Sequence, residues 1–300
     1  MPHRTDLPTS GNPTFDEHAA WWLSRFKPTT QETYRLYADR WITWCLAREL
    51  DPMAARRADV ELFLRDATDR GLARSTVATH YDAVASIYKL AVEEDLLEQS
   101  PCRRVQRPRI HRELQRREVL TVLEFAAYLA AARRLGPCAH AIAVLGAMMG
   151  LRASEMASLT VESISTARGY RVLTFIGKGD KPARVPVPIP AMAAIDAVVG
   201  DRDAGPLLRT RTGRGMDRRD VYRTVVRTAH AAGITRPLSP HALRRTAGTV
   251  GITQGIPIRE VQRLLRHART ETTLASYDLS GEQLERHASH QVAGFLAGWT

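Results

Sequence analysis

Apolar residues recur along most of the chain at intervals of three and four, the spacing of an amphipathic helix, and only one short region alternates as strands do. Tyr34, Tyr37, Trp41, Trp44 and Cys45 fall on one helical face, with Thr29 and Glu32 placed before them as a capping box. Val60, Phe63, Leu64 and Ala67 form a shorter helix over 58–69, and Val77, Tyr81, Val84, Tyr88 and Ala91 a further one that Ser75 caps. The pattern predicts a domain of four or five helices over 14–102. A Pro-, Thr- and Gly-rich flexible tail over 1–13 precedes it. The aromatic stripe has the spacing of a core; rings that stack on bases are the other reading.

Residues 103–117, RRVQRPRIHRELQRR, break this rhythm. They hold seven arginines against the single acid Glu113, and Pro108 forbids a continuous helix, so the stretch reads as a basic linker. A solvated charge run would look the same; the other reading, favoured by seven arginines against one acid, is contact with a polyanion such as DNA through Arg103, Arg104, Arg107, Arg109 and Arg112.

A second domain, 118–300, opens on another capping box, Thr121 with Glu124, ahead of Phe125, Tyr128, Leu129 and Ala132. AHAIAVLGAMMG at 139–150 is apolar nearly all round and predicts a buried central helix that Gly150 ends. Arg152 follows on a turn into a new helix, with Glu155 three residues on, the spacing of a surface ion pair or of a functional one. Tyr170–Ile176 and Ala183–Val187 flank GKGD, a hairpin signal that puts Lys178 at the tip. Helices follow near 190–199 and 217–232, the second made basic by Arg218, Arg219, Arg223 and Arg227. Ser239 and Pro240 supply an N-cap and a first helical position, so His241 and Arg244 share a face. Gly255 and Pro257 restart the chain as a helix that buries Ile258, Val261, Leu264 and Leu265 and ends at His267. A Thr-rich link runs on to Tyr277. Val292, Phe295, Leu296 and Trp299 then repeat at helical spacing within 284–300. The fold class is mainly α with a small β-hairpin or sheet, in two domains.

Charge changes the picture more than composition does. A formal net charge of +11 over 300 residues suits a polyanionic partner, and nucleic acid is the usual one. Lysine is scarce, so Lys178 and Lys181 in one turn stand out. Cys45, Cys102 and Cys138 are an odd, scattered set, which predicts a reducing cytoplasm, no disulfide framework and no zinc site. No apolar run approaches the ~18–20 residues that span a bilayer, so no membrane partner is expected.

The candidate chemistry lies between Ser239 and Leu279, where two histidines, an arginine pair and a tyrosine fall close together. Arginine grips phosphate oxygens as a rigid fork, histidine moves protons near neutral pH, and tyrosine can serve as a covalent nucleophile. Together they suit attack on a phosphodiester without a metal. The GKG turn is no P-loop, because a strand follows it and the trailing Ser/Thr is absent.

HALRRT at 241–246, LLRHA at 264–268 and TTLASYD at 272–278 resemble the C-terminal boxes of the tyrosine recombinases, the phage-integrase family. GLRASEM at 150–156 is similar to that family's first arginine box, and GKGDKPARVPVP at 177–188 to its lysine-bearing hairpin. The resemblance covers 117–280 closely and the N-terminal helices in pattern only. It implies a SAM-like core-binding domain followed by a catalytic domain. The implied activity is site-specific cutting and rejoining of double-stranded DNA through a 3′-phosphotyrosine, with no cofactor, metal or ATP, by a cytoplasmic protein that forms a tetramer at synapsis. The terminal helix would then dock onto a neighbouring subunit. By match to the boxes, Tyr277 is the nucleophile, Arg152 and Arg244 clamp the non-bridging oxygens, and Lys178 is the general acid. His241 assists proton removal from the phenol, His267 donates to a phosphate oxygen, and Glu155 orients its neighbours.

Three departures stand beside these matches. Arg245 occupies the position of a usual histidine and would add a DNA contact. Arg266 replaces the usual glycine before His267, which predicts a different turn there. His267 and Tyr277 are ten apart, one more than the family's usual spacing, and one residue turns a helical side chain by about 100°. The alternatives are a type IB topoisomerase and a DNA-binding regulator whose site has decayed; a metal-dependent nuclease lacks clustered carboxylates.

Overall fold

The computed structural model describes residues 7–109, 119–177 and 180–267. The chain divides into two compact units, residues 1–113 and 114–300.

Four α-helices build the first unit: α1 (Pro13–Ser24), α2 (Pro28–Leu46), α3 (Arg57–Asp69) and α4 (Arg74–Glu93). The described end of the proposed tail is pinned, not loose. Ser10 donates its amide to Asp16, and the Asn12 side chain caps α1 by accepting from the Phe15 amide. Two further expected caps fail. α2 starts at Pro28 with Lys27 as its N-cap, and α4 starts at Arg74 with Ala73, so Thr29 and Ser75 lie inside helices. Pro28 supplies the start itself, because its missing N–H is one that a first helical position leaves unpaired anyway.

The aromatic stripe is core. Trp22, Trp41, Trp44, Phe63 and Tyr88 are buried together, Trp41 and Trp44 stacked at 5.4 Å. Each polar ring atom finds a partner: Trp41 Nε1 donates to Tyr88 Oη (3.2 Å), which donates to the Pro52 carbonyl (2.7 Å), and Trp44 Nε1 donates to Asp66 (2.7 Å). The first part of the basic stretch belongs to this unit too. Val105 is buried, Tyr81 Oη donates to the carbonyls of Cys102 and Val105, and Arg107 forks onto Asp82 with two 2.7 Å bonds.

The second unit is built around α6 (Pro137–Ala147), whose residues from Ala141 to Ala147 are all buried. α5 (Val122–Leu135), α8 (Ile189–Val199), α9 (Arg218–Ala231) and α10 (Pro240–Thr253) pack on it. Gly146 permits the closest approach: a Cβ there would stand 3.1 Å from Leu243 of α10. The expected Thr121–Glu124 box starts α5, with the Glu124 amide donating to Thr121 Oγ1 and the Thr121 amide to Glu124. Glu124 also binds Arg236, whose hydrogen bond chiefly pulls its carboxyl down to about 2.

A three-stranded antiparallel sheet, β1 (Ile164–Ala167), β2 (Tyr170–Ile176) and β3 (Pro182–Pro186), lies in the order β1-β2-β3. The hairpin of β2 and β3 has the register Phe175 to Ala183 and Ile176 to Pro182, and the Gly177 amide donates to the Lys181 carbonyl (2.8 Å) at the base of its turn. β1 was not anticipated. Arg168 and Gly169, both at positive φ, join it to β2 in the manner of a tight hairpin. Two short helices, α7 (Ala153–Ser158) and α11 (Ile258–Leu265), are the remaining helices among the described residues of this unit.

Candidate active site

Three chain breaks set the site. α6 ends near Gly150, which turns at φ +61 and leads to Arg152 at the N-cap of α7. Ser239 caps α10 as expected, its Oγ accepting from the Ala242 amide (3.2 Å), which places His241 in the first turn and Arg244 one turn on. α11 ends in a Schellman turn: the Arg266 amide donates to the Arg263 carbonyl (3.1 Å) and the His267 amide to the Gln262 carbonyl (3.2 Å).

Arg266 carries that turn at φ +50 and ψ +46, the left-handed conformation where glycine is usual. The expectation of a different turn is therefore corrected. The glycine-type geometry is kept with a side chain on it, at a cost of about 1–2 kcal/mol. The guanidinium donates to Glu155 Oε2 (2.8 Å), the Gly150 carbonyl (2.9 Å) and the Leu264 carbonyl (2.9 Å), and lies 5.3 Å over the Phe175 ring.

Glu155 is only 3 % exposed, which rules out the surface-pair reading. Its Oε1 accepts from Arg152 Nη1 (2.6 Å), and its Oε2 from the Arg152 amide (2.8 Å) and Arg266. Burial pushes its carboxyl up, but the Arg152 amide and the charges of Arg266 and Arg152 more than offset this, and it stays below the usual range. Arg244, 1 % exposed, donates to the carbonyls of Gly150 and Leu265, the open ends of the turns after α6 and α11.

His267 sits half-buried against this group. Its imidazole is pushed down to about 4 by burial and by Arg244, Arg152, His241 and Arg266. It is neutral at physiological pH, with a ring nitrogen able to donate to an incoming oxygen. An anion placed among those cations would favour its protonation. One groove, of about 660 Å³, opens beside Arg152 and His241 and is lined from α9 by Arg218, Arg219, Tyr222 and Arg223. A second basic hollow, lined by Arg259, Gln262, Arg263, Arg266 and His267, opens at the end of α11.

The structure thus gathers Arg152, Glu155, His241, Arg244 and His267, drawn from three separate boxes, and adds Arg266, which the sequence marked only as a departure. Lys178 and Tyr277 lie outside the described residues, as do Arg112 and the 284–300 segment. The approach to Lys178 is described: a Cβ on Gly177 would stand 3.9 Å from Glu155 Oε1, so the base of the hairpin turn lies beside the site. Arg245 is half-buried on α10. Arg103, Arg104 and Arg109 are exposed on the first unit, and Arg107 is taken up by Asp82. Arg218, Arg219 and Arg223 line the groove and Arg227 does not; their spacing on one face of α9, with Tyr222, was the available signal. Among the described residues no group of His, Cys, Asp and Glu is gathered that could hold a metal ion.

Residues 113–282 match the Phage integrase family. The chain is 32 % identical over 216 residues to tyrosine recombinase XerC of Mycobacterium tuberculosis, covering 68 % of this chain and 72 % of that protein. It is 26 % identical over 257 residues to tyrosine recombinase XerD of Chlorobaculum tepidum, covering 81 % and 83 %. In fold it is similar to a lambda integrase dimer bound to a COC′ core site, at a TM-score of 0.74 and 16 % identity over 90 % of this chain and 77 % of that one. The family match and these relatives define a tyrosine-type site-specific DNA recombinase. The chain belongs to the phage integrase family.

Proposed function

We propose that this chain cuts and rejoins duplex DNA through Tyr277, using Arg152, Lys178, His241, Arg244 and His267. The phenol oxygen attacks the scissile phosphorus as its proton passes to His241. The P–O5′ bond breaks, and Lys178 protonates the departing 5′-oxygen. The 3′-phosphotyrosine keeps the bond energy, so a 5′-hydroxyl from a partner duplex can reverse the step without ATP or a metal ion. Arg152 and Arg244 meet the two non-bridging oxygens, where charge grows in the transition state, and neutral His267 adds a hydrogen bond. The observation that carries this reading is the convergence of Arg152, Arg244 and His241 on His267, with a basic groove opening beside Arg152 and His241.

Double-stranded DNA is the partner that the net charge of +11 and the groove arginines favour. The reading includes a tetramer at synapsis, with the 284–300 segment docked in trans, and a cytoplasmic protein working on DNA; no described helix is long and apolar enough to cross a membrane. It keeps the helical unit, the basic stretch at 103–117 and the catalytic region as working parts, with Arg103, Arg104, Arg109, Arg112 and Arg245 on DNA.

A covalent trap tests it. Wild-type and Tyr277→Phe protein are incubated with nicked duplexes tiled from DNA that flanks the gene, in chelator, and resolved on denaturing gels. A shifted protein–DNA band in wild type alone is the expected result and locates the site. A band that persists in the variant would assign the nucleophile elsewhere, and tight binding with no band would favour the decayed regulator. Relaxation of supercoils at no particular site would favour the topoisomerase.

A further inference from the structure

We propose that Arg266 is a positioning residue of this active site: from a left-handed turn it ties Glu155 to the Gly150 carbonyl and so sets the Arg152 guanidinium for the phosphate. The inference rests on the recombinase reading above.

Glycine would adopt the turn at 266 without strain, so an arginine there must be held by what its side chain does. That side chain is 14 % exposed and reaches three groups that all lie far from it in the sequence. It meets Glu155, which lies 111 residues upstream, and the carbonyl of Gly150 that Arg244 also holds. Its Cζ lies 5.3 Å over the ring of Phe175, which stands two residues before Gly177 at the base of the hairpin turn.

Glu155 is where the effect on chemistry enters. Its Oε1 takes the Arg152 guanidinium, while its Oε2 takes the Arg152 amide and Arg266. The second arginine divides the carboxylate between two cations. Without it, Glu155 would face Arg152 alone, hold that guanidinium more tightly and withdraw it from the groove. The groove arginines from α9 would remain, so DNA binding should survive where cleavage does not.

The test compares Arg266→Gly, Arg266→Gln and Arg266→Lys with wild type on the nicked substrate that the covalent trap identifies, reading single-turnover cleavage at saturating protein, DNA affinity and Tm. Arg266→Gly relieves the left-handed strain but removes one partner of the buried Glu155 carboxylate; the two effects oppose, so its Tm should stay within a few degrees of wild type. Its cleavage should fall about 10–100-fold, with DNA affinity within about threefold. Lysine supplies charge without the fork and should recover less than about a third of the lost rate. Glu155→Gln combined with Arg266→Gly should be no slower than the slower single variant, because the two act through one contact.

Cleavage by Arg266→Gly at the wild-type rate would overturn the proposal, as would additive losses in the double variant. So would a loss that simply follows a fall in Tm, which would make Arg266 a packing residue. If wild type forms no covalent product, the recombinase reading fails and this inference with it; wild-type product alongside an unaffected Arg266→Gly sinks the inference alone.

Discussion

Among the described residues two histidines are pushed down to about 4, and they sit in opposite kinds of place. His80, on α4, is 2 % exposed, stacked on Phe63 at 5.6 Å and tilted against Tyr37 at 4.7 Å. Burial does most of the work there, helped by Arg40, whose Nη1 lies 2.8 Å from His80 Nε2. Because arginine can only donate, Nε2 must accept and Nδ1 must carry the proton. His267 is lowered by burial as well, but three arginines and His241 add to it, and the ring lines an open basic hollow. A perturbed imidazole therefore does not mark a functional site by itself. The useful distinction is whether the ring itself is sealed in a core or lines a space that an anion can fill.

The arginines beside the two rings give the strongest way to break that contrast. Arg244→Ala should lower cleavage about 10³-fold, because it removes a transition-state donor and also frees the Gly150 and Leu265 carbonyls it holds. Arg244→Lys should recover less than tenfold, since an ammonium cannot span both carbonyls and a phosphate. Arg40→Ala, measured at saturating protein, should stay within about threefold of wild type. Equal losses from Arg40→Ala and Arg244→Ala would erase the distinction.

Acid gives a smaller but cleaner separation. An unfolded chain protonates His80 at its ordinary 6.5, whereas the folded first unit resists until about 4. The unfolded state thus binds more protons in that window, so the stability is fully present above pH 6.5 and is lost as pH falls toward 4, by about 3 kcal/mol. Denaturant melts followed by tryptophan fluorescence would read this, since Trp21, Trp22, Trp41 and Trp44 all lie in the first unit and only Trp299 lies elsewhere. His80→Phe should flatten the curve between those limits. A variant that keeps the full slope would place its origin in another group.

The same contrast explains what the sequence could and could not reveal. Features fixed within a few residues were readable: the buried faces of α3 and α6, the Thr121–Glu124 box, the Ser239–Pro240 start of α10, and the turn between β2 and β3. Thr29 and Ser75 misled because a capping side chain acts only where helical backbone begins, and the preceding residues had already started each helix. β1 escaped because Ile-Ser-Thr-Ala is an edge strand with no buried side chain, leaving nothing for an alternation test to detect. The basic stretch after Pro101 looked free because Tyr81 and Asp82, which hold Val105 and Arg107, lie on a helix already assigned elsewhere. In the candidate site, residue types and order were legible from motifs. The work of Arg266 was not, since it depends on a left-handed turn and on a carboxylate 111 residues away.

The finest separation is a proton affinity. A phosphate at the basic hollow that His267 lines would stabilise an imidazolium among those arginines, so DNA should raise the His267 value above about 4 by about one pH unit, worth about 1.4 kcal/mol. His80, closed among Phe63, Tyr37 and Arg40, should not move. The measurement is an NMR titration of ring-labelled histidines in full-length Tyr277→Phe protein, free and bound to the nicked site, with His267→Gln and His80→Phe used to assign the two resonances. Higher salt should shrink the rise as it releases the duplex. An unmoved His267 would mean that its arginines hold one another's backbone turns and do not face the phosphate. An equal rise at both rings would mean that the buried imidazole of the helical unit also senses DNA, and that a closed aromatic core is not the barrier to charge supposed here.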